Sequence, residues 1–376
     1  MAPRKIAFVT GTRADFGKLK SLMNKVQGDP AFELHVFVTG MHMLARYGST
    51  HEEVEKSGFR NIYKYMNQNA ADRMDHILSK TITGLSDYVH EIKPDLLVIH
   101  GDRVEALAGA SVGALNNLRV CHVEGGEVSG TVDELIRHAV SKLSHIHFVA
   151  NDRAQARLKQ LGEREESIYV IGSPDIDAMN SALPSMDEAR KRYGFDYAEH
   201  AVVLFHPVTS EVPDMRRQTR TMVDALLASD QNYIVIYPNN DHGTEIILEE
   251  YERLRGNPRF KLYPSIRFEY FLRILKEARF MIGNSSAGVR EAPHFGLPAI
   301  NLGTRQNNRV VHDSVINAPI EPKAIQDAIA AALGLARKPV ALFGTGNSAE
   351  LFHAILQDDK FWQQPTQKFF VDRAPA

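Results

Sequence analysis

Residues 96–138 open with LLVIHGDRVEALAGA (96–110) and close with RVCHVEGGEVSGTVDELIRH (119–138). The apolar runs 96–99 and 120–123 read as parallel strands buried on both faces, which need near-continuous hydrophobic sequence. Each ends in a polar, glycine-containing turn. His100-Gly101-Asp102-Arg103 follows the first, and Glu124-Gly125-Gly126-Glu127 follows the second. Asp133 and Glu134 then stand where a helix is expected to start. In an open α/β sheet, ligands bind beyond the carboxyl ends of the strands. These carboxylates, with a few histidines nearby, read as acid/base equipment.

The same alternation runs outward in both directions. Apolar runs at 6–9, 35–38, 146–149 and 169–171 flank the central pair, with helix-like spacing at 18–26 and 74–92. A polar stretch at 180–200, punctuated by Pro184, marks a boundary. The alternation restarts with runs at 202–205, 233–237, 260–263, 280–282 and 299–302. Strands alternating with helices give parallel sheets, so the fold class expected is α/β with two lobes. The expected division is residues 1–175 for the first lobe and 176–354 for the second, with a helix at about 355–376 packing back on the first. Two such lobes create an interdomain cleft, a common place for a ligand.

At 376 residues the chain is long enough for two such cores. A net charge of −2 offers no basic surplus for nucleic acid. The apolar runs are too short to span a membrane, and residues 1–5 lead straight into a strand without room for a signal peptide. The single cysteine, Cys121, rules out a disulfide framework and a thiolate zinc site. A cytoplasmic enzyme with no nucleic-acid or membrane partner is the expectation.

Several other turns could carry chemistry. Gly11-Thr12-Arg13-Ala14-Asp15-Phe16-Gly17-Lys18 opens a helix after the first strand. Backbone N–H groups there would face an anion, with Arg13 and Lys18 adding charge. Its spacing fits neither a dinucleotide fingerprint nor a Walker A loop. In the second lobe, Gly283-Asn284-Ser285-Ser286-Ala287-Gly288 precedes a helix expected near Val289 and reads as a phosphate cradle. Glu291 could accept hydrogen bonds from ribose hydroxyls. Gly303-Thr304-Arg305 offers another cation, Pro238-Asn239-Asn240-Asp241 another polar turn, and His206 lies at a strand end. Clustered carboxylates push one another's proton affinities apart, which supplies both an acid and a base at neutral pH. Asp102, Glu124 and Asp133 are the candidates, while Glu127 and Glu134 suit solvated or capping roles. His145 and His147 share a strand face, but without a matched third ligand they read as structural, and no metal is expected.

The ordered motifs GTRADFGK, VTGMHM, IHGDRVEALAGA, HVEGGEVSGTVDELIRH, FHPVTSE, YPNND, GNSSAGVREAP and INLGTRQ resemble the UDP-N-acetylglucosamine 2-epimerase family, most closely its hydrolysing branch. The resemblance covers residues 5 to about 309. It implies two Rossmann-like lobes of the GT-B type with UDP in the interdomain cleft. It also implies conversion of UDP-GlcNAc and water to N-acetylmannosamine and UDP, the first step of sialic acid synthesis. The route would be elimination to 2-acetamidoglucal, then hydration with inversion at C2. The family's catalytic acids fall on Asp102, Glu124 and Asp133. Its UDP-binding positions fall on Arg13, Lys18, His206, Asn239, Asp241, Ser285, Ser286, Glu291 and Arg305, with Arg103 as a further neighbour of the diphosphate. No cofactor is implied. A homodimer or homotetramer is.

Where the non-hydrolysing branch carries TAQHR, this chain has TGMHM, and Met41 and Met43 cannot make the polar contacts of glutamine and arginine. An activating second-substrate site is therefore not expected, nor is the kinase extension of the bifunctional animal-type arrangement. Three alternatives remain open on sequence alone. They are the same reaction on a UDP-2,4-diacetamido-2,4,6-trideoxy sugar, a GT-B glycosyltransferase, and a non-catalytic nucleotide-binding protein.

Overall fold

Apolar runs flanked by turn residues become two all-parallel sheets. The computed structural model describes residues 2–69, 72–309 and 312–372. The first sheet holds β1 (Arg4–Thr10), β2 (Phe32–Val38), β3 (Asn61–Lys64), β4 (Leu96–His100), β5 (Arg119–Val123), β6 (Ile146–Val149) and β7 (Ile168–Val170), in the order β3-β2-β1-β4-β5-β6-β7. The second holds β8 (Ala201–Leu204), β9 (Tyr233–Ile236), β10 (Phe260–Tyr263), β11 (Met281–Gly283), β12 (Ala299–Leu302) and β13 (Val315–Ala318), in the order β10-β9-β8-β11-β12-β13. Strand order reverses between β1 and β4 in one sheet and between β8 and β11 in the other. Those switch points open a crevice at the carboxyl ends of the strands.

Every expected apolar run is a strand or overlaps one. β3 and β13 have no counterpart in the sequence reading. Both are edge strands, and most of their residues are exposed or half-buried. An edge strand covered on one side only does not need the continuous apolar run that reveals a central one.

The chain divides into two units, residues 1–127, 133–180 and 343–376 in one, 128–132 and 181–342 in the other. Both boundaries differ from those expected. The helix Pro174–Asn180 stays with the first unit, where it packs on the helix Arg13–Gln27. The chain returns at Phe343 rather than near 355, because the Ser173 N–H donates to the Phe343 carbonyl at 2.7 Å. The Asp177 carboxylate then accepts from the backbone N–H groups of Ser348 and Ala349, at 3.0 and 2.8 Å, and starts the helix Ser348–Gln357.

Phe352, Leu356, Phe361 and Trp362 enter the first unit's core, where the Phe352 ring meets Phe148 edge-on at 5.0 Å. The expected terminal helix ends at Trp362; residues 363–372 follow without helix, and residues 373–376 lie outside the described residues. The helix-like spacing at 74–92 is the helix Met74–Ile92. Among the described residues no helix is long and apolar enough to cross a membrane.

The terminal tail is bound by buried charge. Lys368 Nζ donates to the carbonyls of Ser141, Lys142 and Ser144 at the end of the helix Val132–Leu143, and lies 2.6 Å from Glu163 Oε2. His147 Nε2 is 3.0 Å from the same oxygen, and His145 Nε2 is 2.8 Å from the Thr366 carbonyl oxygen. Both histidines are thus occupied structurally. Burial raises the Glu163 carboxyl, but His147 and Lys368 outweigh it and hold the group down at about 2. A lowered folded-state value stabilises the fold fully above the unfolded value of 4.5, and that contribution is lost as pH falls towards about 2. Unfolding free energy measured in urea should therefore fall from pH 5 to pH 3 in the native chain. It should fall less steeply in Glu163→Gln, and an unchanged slope would remove this role.

Candidate active site

In the first unit the turns after β4 and β5 bring two acids together. Glu124 follows β5 directly and adopts a left-handed backbone, φ 65°. Its N–H donates to the Phe148 carbonyl at 2.9 Å, and its own carbonyl accepts from Arg137 at 2.9 Å. The strained turn is thereby held at both ends. Its carboxylate accepts the Ser173 hydroxyl hydrogen bond and lies 3.1 Å from His100 Nε2. Lys18 Nζ is 3.9 Å away, and 3.2 Å from the fully buried Asp175. Lys18, expected at a phosphate, sits here among carboxylates.

Asp102 is ion-paired with the second nitrogen of the Arg137 guanidinium. Behind it, Gly101 turns with φ 74°, and its carbonyl oxygen is 2.8 Å from His122 Nε2. Burial drives the His122 proton affinity well down, so the ring is neutral and serves the turn as a strut. Asp133 is the second residue of the helix Val132–Leu143 and lies one turn before Arg137 on the same helical face. Arg137 itself is 4% exposed. Its guanidinium binds Asp102 and the backbone of Glu124, and its helix carries Asp133.

The remaining first-unit candidates are placed differently. The N–H groups of Gly11 and Thr12 donate to Asp15 at 3.0 Å, so part of the expected anion cradle is taken up by the helix's own capping box. Arg13 pairs with Glu53 at 2.6 Å. Arg103 Nε lies 3.5 Å from buried Glu105, whose carboxylate packs beneath Gly11 and Gly40. Glu134 bonds His138 one turn on, at 3.1 Å, whereas Glu127 is buried rather than solvated.

In the second unit the candidates gather at the β8/β11 switch point. Gly283 has φ 142°, and a Cβ there would lie 2.1 Å from the Leu204 carbonyl oxygen, so only glycine allows the strands to close. Asn284, 1% exposed, then bridges the turns: its Oδ1 accepts from the His206 N–H at 2.6 Å, and its Nδ2 donates to the His206 carbonyl at 2.8 Å. Arg305 and Gln306 donate to the Asn284 carbonyl at 3.3 and 2.7 Å. Asn239 Nδ2 donates to Asp241 at 2.5 Å. Ser285 Oγ caps the single turn Ser286–Gly288. The helix expected near Val289 begins at Glu291 and lasts one turn, Glu291–His294, because Pro293 lacks a donor and Gly296 turns left-handed. Glu291 is buried in that turn. Ser285, Ser286, Glu291 and Arg305 thus lie along one sheet edge with His206, Asn239 and Asp241.

Arg137, Ser173, Asp175 and Asn284 do not figure among the residues expected from the sequence. Arg137 has a readable signal, four residues after Asp133. Asn284 stands inside a turn already singled out. Ser173 and Asp175 have none, since only the folded chain brings them to Glu124 and Lys18. Among the described residues no cluster of three or more His, Cys, Asp or Glu side chains could hold a metal ion.

Paired parallel sheets with polar turns at both switch points define a two-lobed α/β fold of the GT-B-like type. Two crystal structures share it. A UDP-GlcNAc 2-epimerase from Neisseria meningitidis bound to UDP-GlcNAc superposes with TM-score 0.77 at 16% identity, covering 94% of this chain and 99% of that one. A Methanocaldococcus jannaschii UDP-GlcNAc 2-epimerase in complex with UDP-GlcNAc and UDP gives 0.78 at 21%, with the same coverage. The family model for UDP-N-acetylglucosamine 2-epimerase matches residues 24–357. A UDP-N-acetylglucosamine 2-epimerase of Neisseria meningitidis serogroup B is 49% identical over 374 residues, covering 98% of this chain and 99% of that protein. A hydrolysing UDP-N,N'-diacetylbacillosamine 2-epimerase of Legionella pneumophila is 35% identical, with coverage of 94% and 96%. Polysialic acid biosynthesis protein P7 of Escherichia coli is 32% identical, with coverage of 86% and 84%. The chain belongs to the UDP-N-acetylglucosamine 2-epimerase family, which sets aside the glycosyltransferase and non-catalytic alternatives.

One detail of the second unit can be checked without turnover. The Asn239 N–H donates to His206 Nδ1 at 3.1 Å. Whenever the ring is neutral, its proton must then be on Nε2, which becomes a donor. Nitrogen-15 NMR should show the Nε2–H tautomer for His206; an Nδ1–H tautomer would contradict the turn geometry.

Proposed function

We propose that this protein is a hydrolysing UDP-N-acetylglucosamine 2-epimerase, forming N-acetylmannosamine and UDP from UDP-GlcNAc and water for sialic acid synthesis. The observation that carries this reading is the carboxylate centre held by Arg137, on a chain half-identical to a curated 2-epimerase. The second unit's residues His206, Asn239, Asp241, Ser285, Ser286, Glu291 and Arg305 hold the nucleotide. Arg305 and the His206 Nε2–H stabilise charge on the diphosphate as it leaves, by the logic of an oxyanion hole. Arg13 and Arg103, each already beside a carboxylate, add diphosphate contacts on exchange of partner. Lys18 acts through Glu124.

In the first step a carboxylate of the set Asp102, Glu124 and Asp133 takes the C2 proton. The C2–H electron pair forms the C1=C2 bond as the C1–O bond breaks, and UDP departs with the C1–O electron pair. In the second step water adds at C1 and a proton returns to C2 on the opposite face. Carboxylates in unequal surroundings supply the base and the acid.

The lone buried thiol, Cys121, suits the reducing cytoplasm, where we place the enzyme. We also propose that it works as a homodimer or homotetramer. Light scattering should give the mass of two or four 42.1 kDa chains, and a monomer would refute this.

A second reading, the 2,4-diacetamido-6-deoxy sugar, is favoured by the 35% identical Legionella relative and by a 33% identical hydrolysing GDP/UDP-N,N'-diacetylbacillosamine 2-epimerase of Campylobacter jejuni. The decisive experiment is turnover of both UDP-sugars in D2O followed by NMR. UDP-GlcNAc should turn over faster, giving UDP and N-acetylmannosamine with solvent deuterium at C2. Retention of the original hydrogen at C2, or faster turnover of the diacetamido sugar, would refute the proposal.

A further inference from the structure

Glu124 and Asp133 stand on either side of a short stretch that keeps different company from theirs. The first unit runs to Glu127 and resumes at Asp133, while residues 128–132 belong with the second unit. Before the excursion the chain is fixed by Gly126, φ +75°, where a Cβ would lie 2.3 Å from the Ala154 carbonyl oxygen. Arg157 donates to the Gly126 carbonyl at 3.1 Å.

Within the second unit the excursion docks on the turn after β12. The Gly130 N–H donates to the Arg305 carbonyl at 2.9 Å, and Arg309 Nε donates to the Val128 carbonyl at 2.5 Å. A Cβ at position 130 would fall 2.4 Å from the Thr304 carbonyl oxygen and 3.0 Å from that of Arg305. Glycine is therefore required there for close backbone approach, a demand that a plain surface loop does not make. Three residues on is Asp133, whose helix carries Arg137 and, through it, Asp102 and the Glu124 carbonyl. Three residues reach at most about 11 Å when extended, so the connection has little slack.

We propose that residues 128–132 are a strap that makes the placement of Asp133 and the Glu124 turn depend on occupancy of the Gly303-Thr304-Arg305 turn, with Gly130 and Arg309 as positioning residues. This rests on the reading of the site given above. A nucleotide that orders Arg305 orders the backbone on which Gly130 is seated. The strap passes that order to the start of the helix Val132–Leu143, and the carboxylate centre becomes complete only with nucleotide present. After elimination the glucal is no longer covalently attached to the diphosphate. A docked strap keeps the acids in place for protonation at C2 and addition of water at C1. An undocked one lets the glucal escape before hydration.

The test uses the full chain as Gly130→Ala and as Arg309→Met, the latter leaving the backbone itself unaltered. In Gly130→Ala, kcat should drop by about tenfold or more while the Kd for UDP stays within about twofold. The ratio of released 2-acetamidoglucal to N-acetylmannosamine, read by proton NMR, should rise. Arg309→Met should move both readouts the same way by less. UDP should slow amide hydrogen exchange across 132–143 in the native chain and not in Gly130→Ala. Native turnover and product ratio in both variants, loss of UDP affinity in step with kcat, or no UDP-dependent protection in the native chain would each overturn the strap. If UDP protects the helix in the native chain but UDP-GlcNAc is not turned over, the functional reading fails and the strap stands.

Discussion

A single buried guanidinium organises the candidate site of the first unit. Arg137 is almost wholly removed from water, and a buried charge is costly unless it is paired. Its partners are the Asp102 carboxylate and the Glu124 carbonyl, from turns after two neighbouring strands. Asp133 rides on the same helix face. The helix is held at its far end by Lys368, which gathers the last carbonyls, where cations are favoured by the helix dipole. Thus the chain's terminal tail, with no catalytic group of its own, bears on the element that carries two members of the centre.

Glu124 shows how the fold makes this centre stiff. A non-glycine residue at φ 65° persists only where its surroundings over-determine it. Phe148 and Arg137 hold its backbone, and Ser173, His100 and Lys18 surround its side chain. Ser173 is in turn bound through its own N–H to Phe343, where the chain re-enters the first unit. The second unit repeats the device with neutral groups, as Asn284 ties the His206 turn to the serine turn from beneath.

Much of this was legible in the sequence. Central strands advertise themselves because both faces are buried, and the acids at the ends of β4 and β5 followed from strand position alone. β3 and β13 were not legible, since these two edge strands are mostly exposed or half-buried and carry no such run. The division near Asn180 and the return at Phe343 depend on pairings such as Ser173 with Phe343 that no local pattern encodes. The same holds for Lys18: a lysine in a glycine-rich turn suggests a phosphate, and only the fold reveals Asp175 beside it. Thr12 and Asp15 at capping-box spacing already announce that the Asp15 carboxylate will occupy an N–H group of the turn.

If Arg137 unites the carboxylates into one centre, its loss and the loss of Asp102 must not be independent. A double-mutant cycle on turnover, with Asp102→Asn, Arg137→Met and the combined variant, measures this directly. The combined variant is expected to be within about threefold of the slower single variant, a coupling of the size found for residues in contact. Losses that simply multiply would show that Arg137 and Asp102 act separately, and would contradict a carboxylate centre built around one guanidinium.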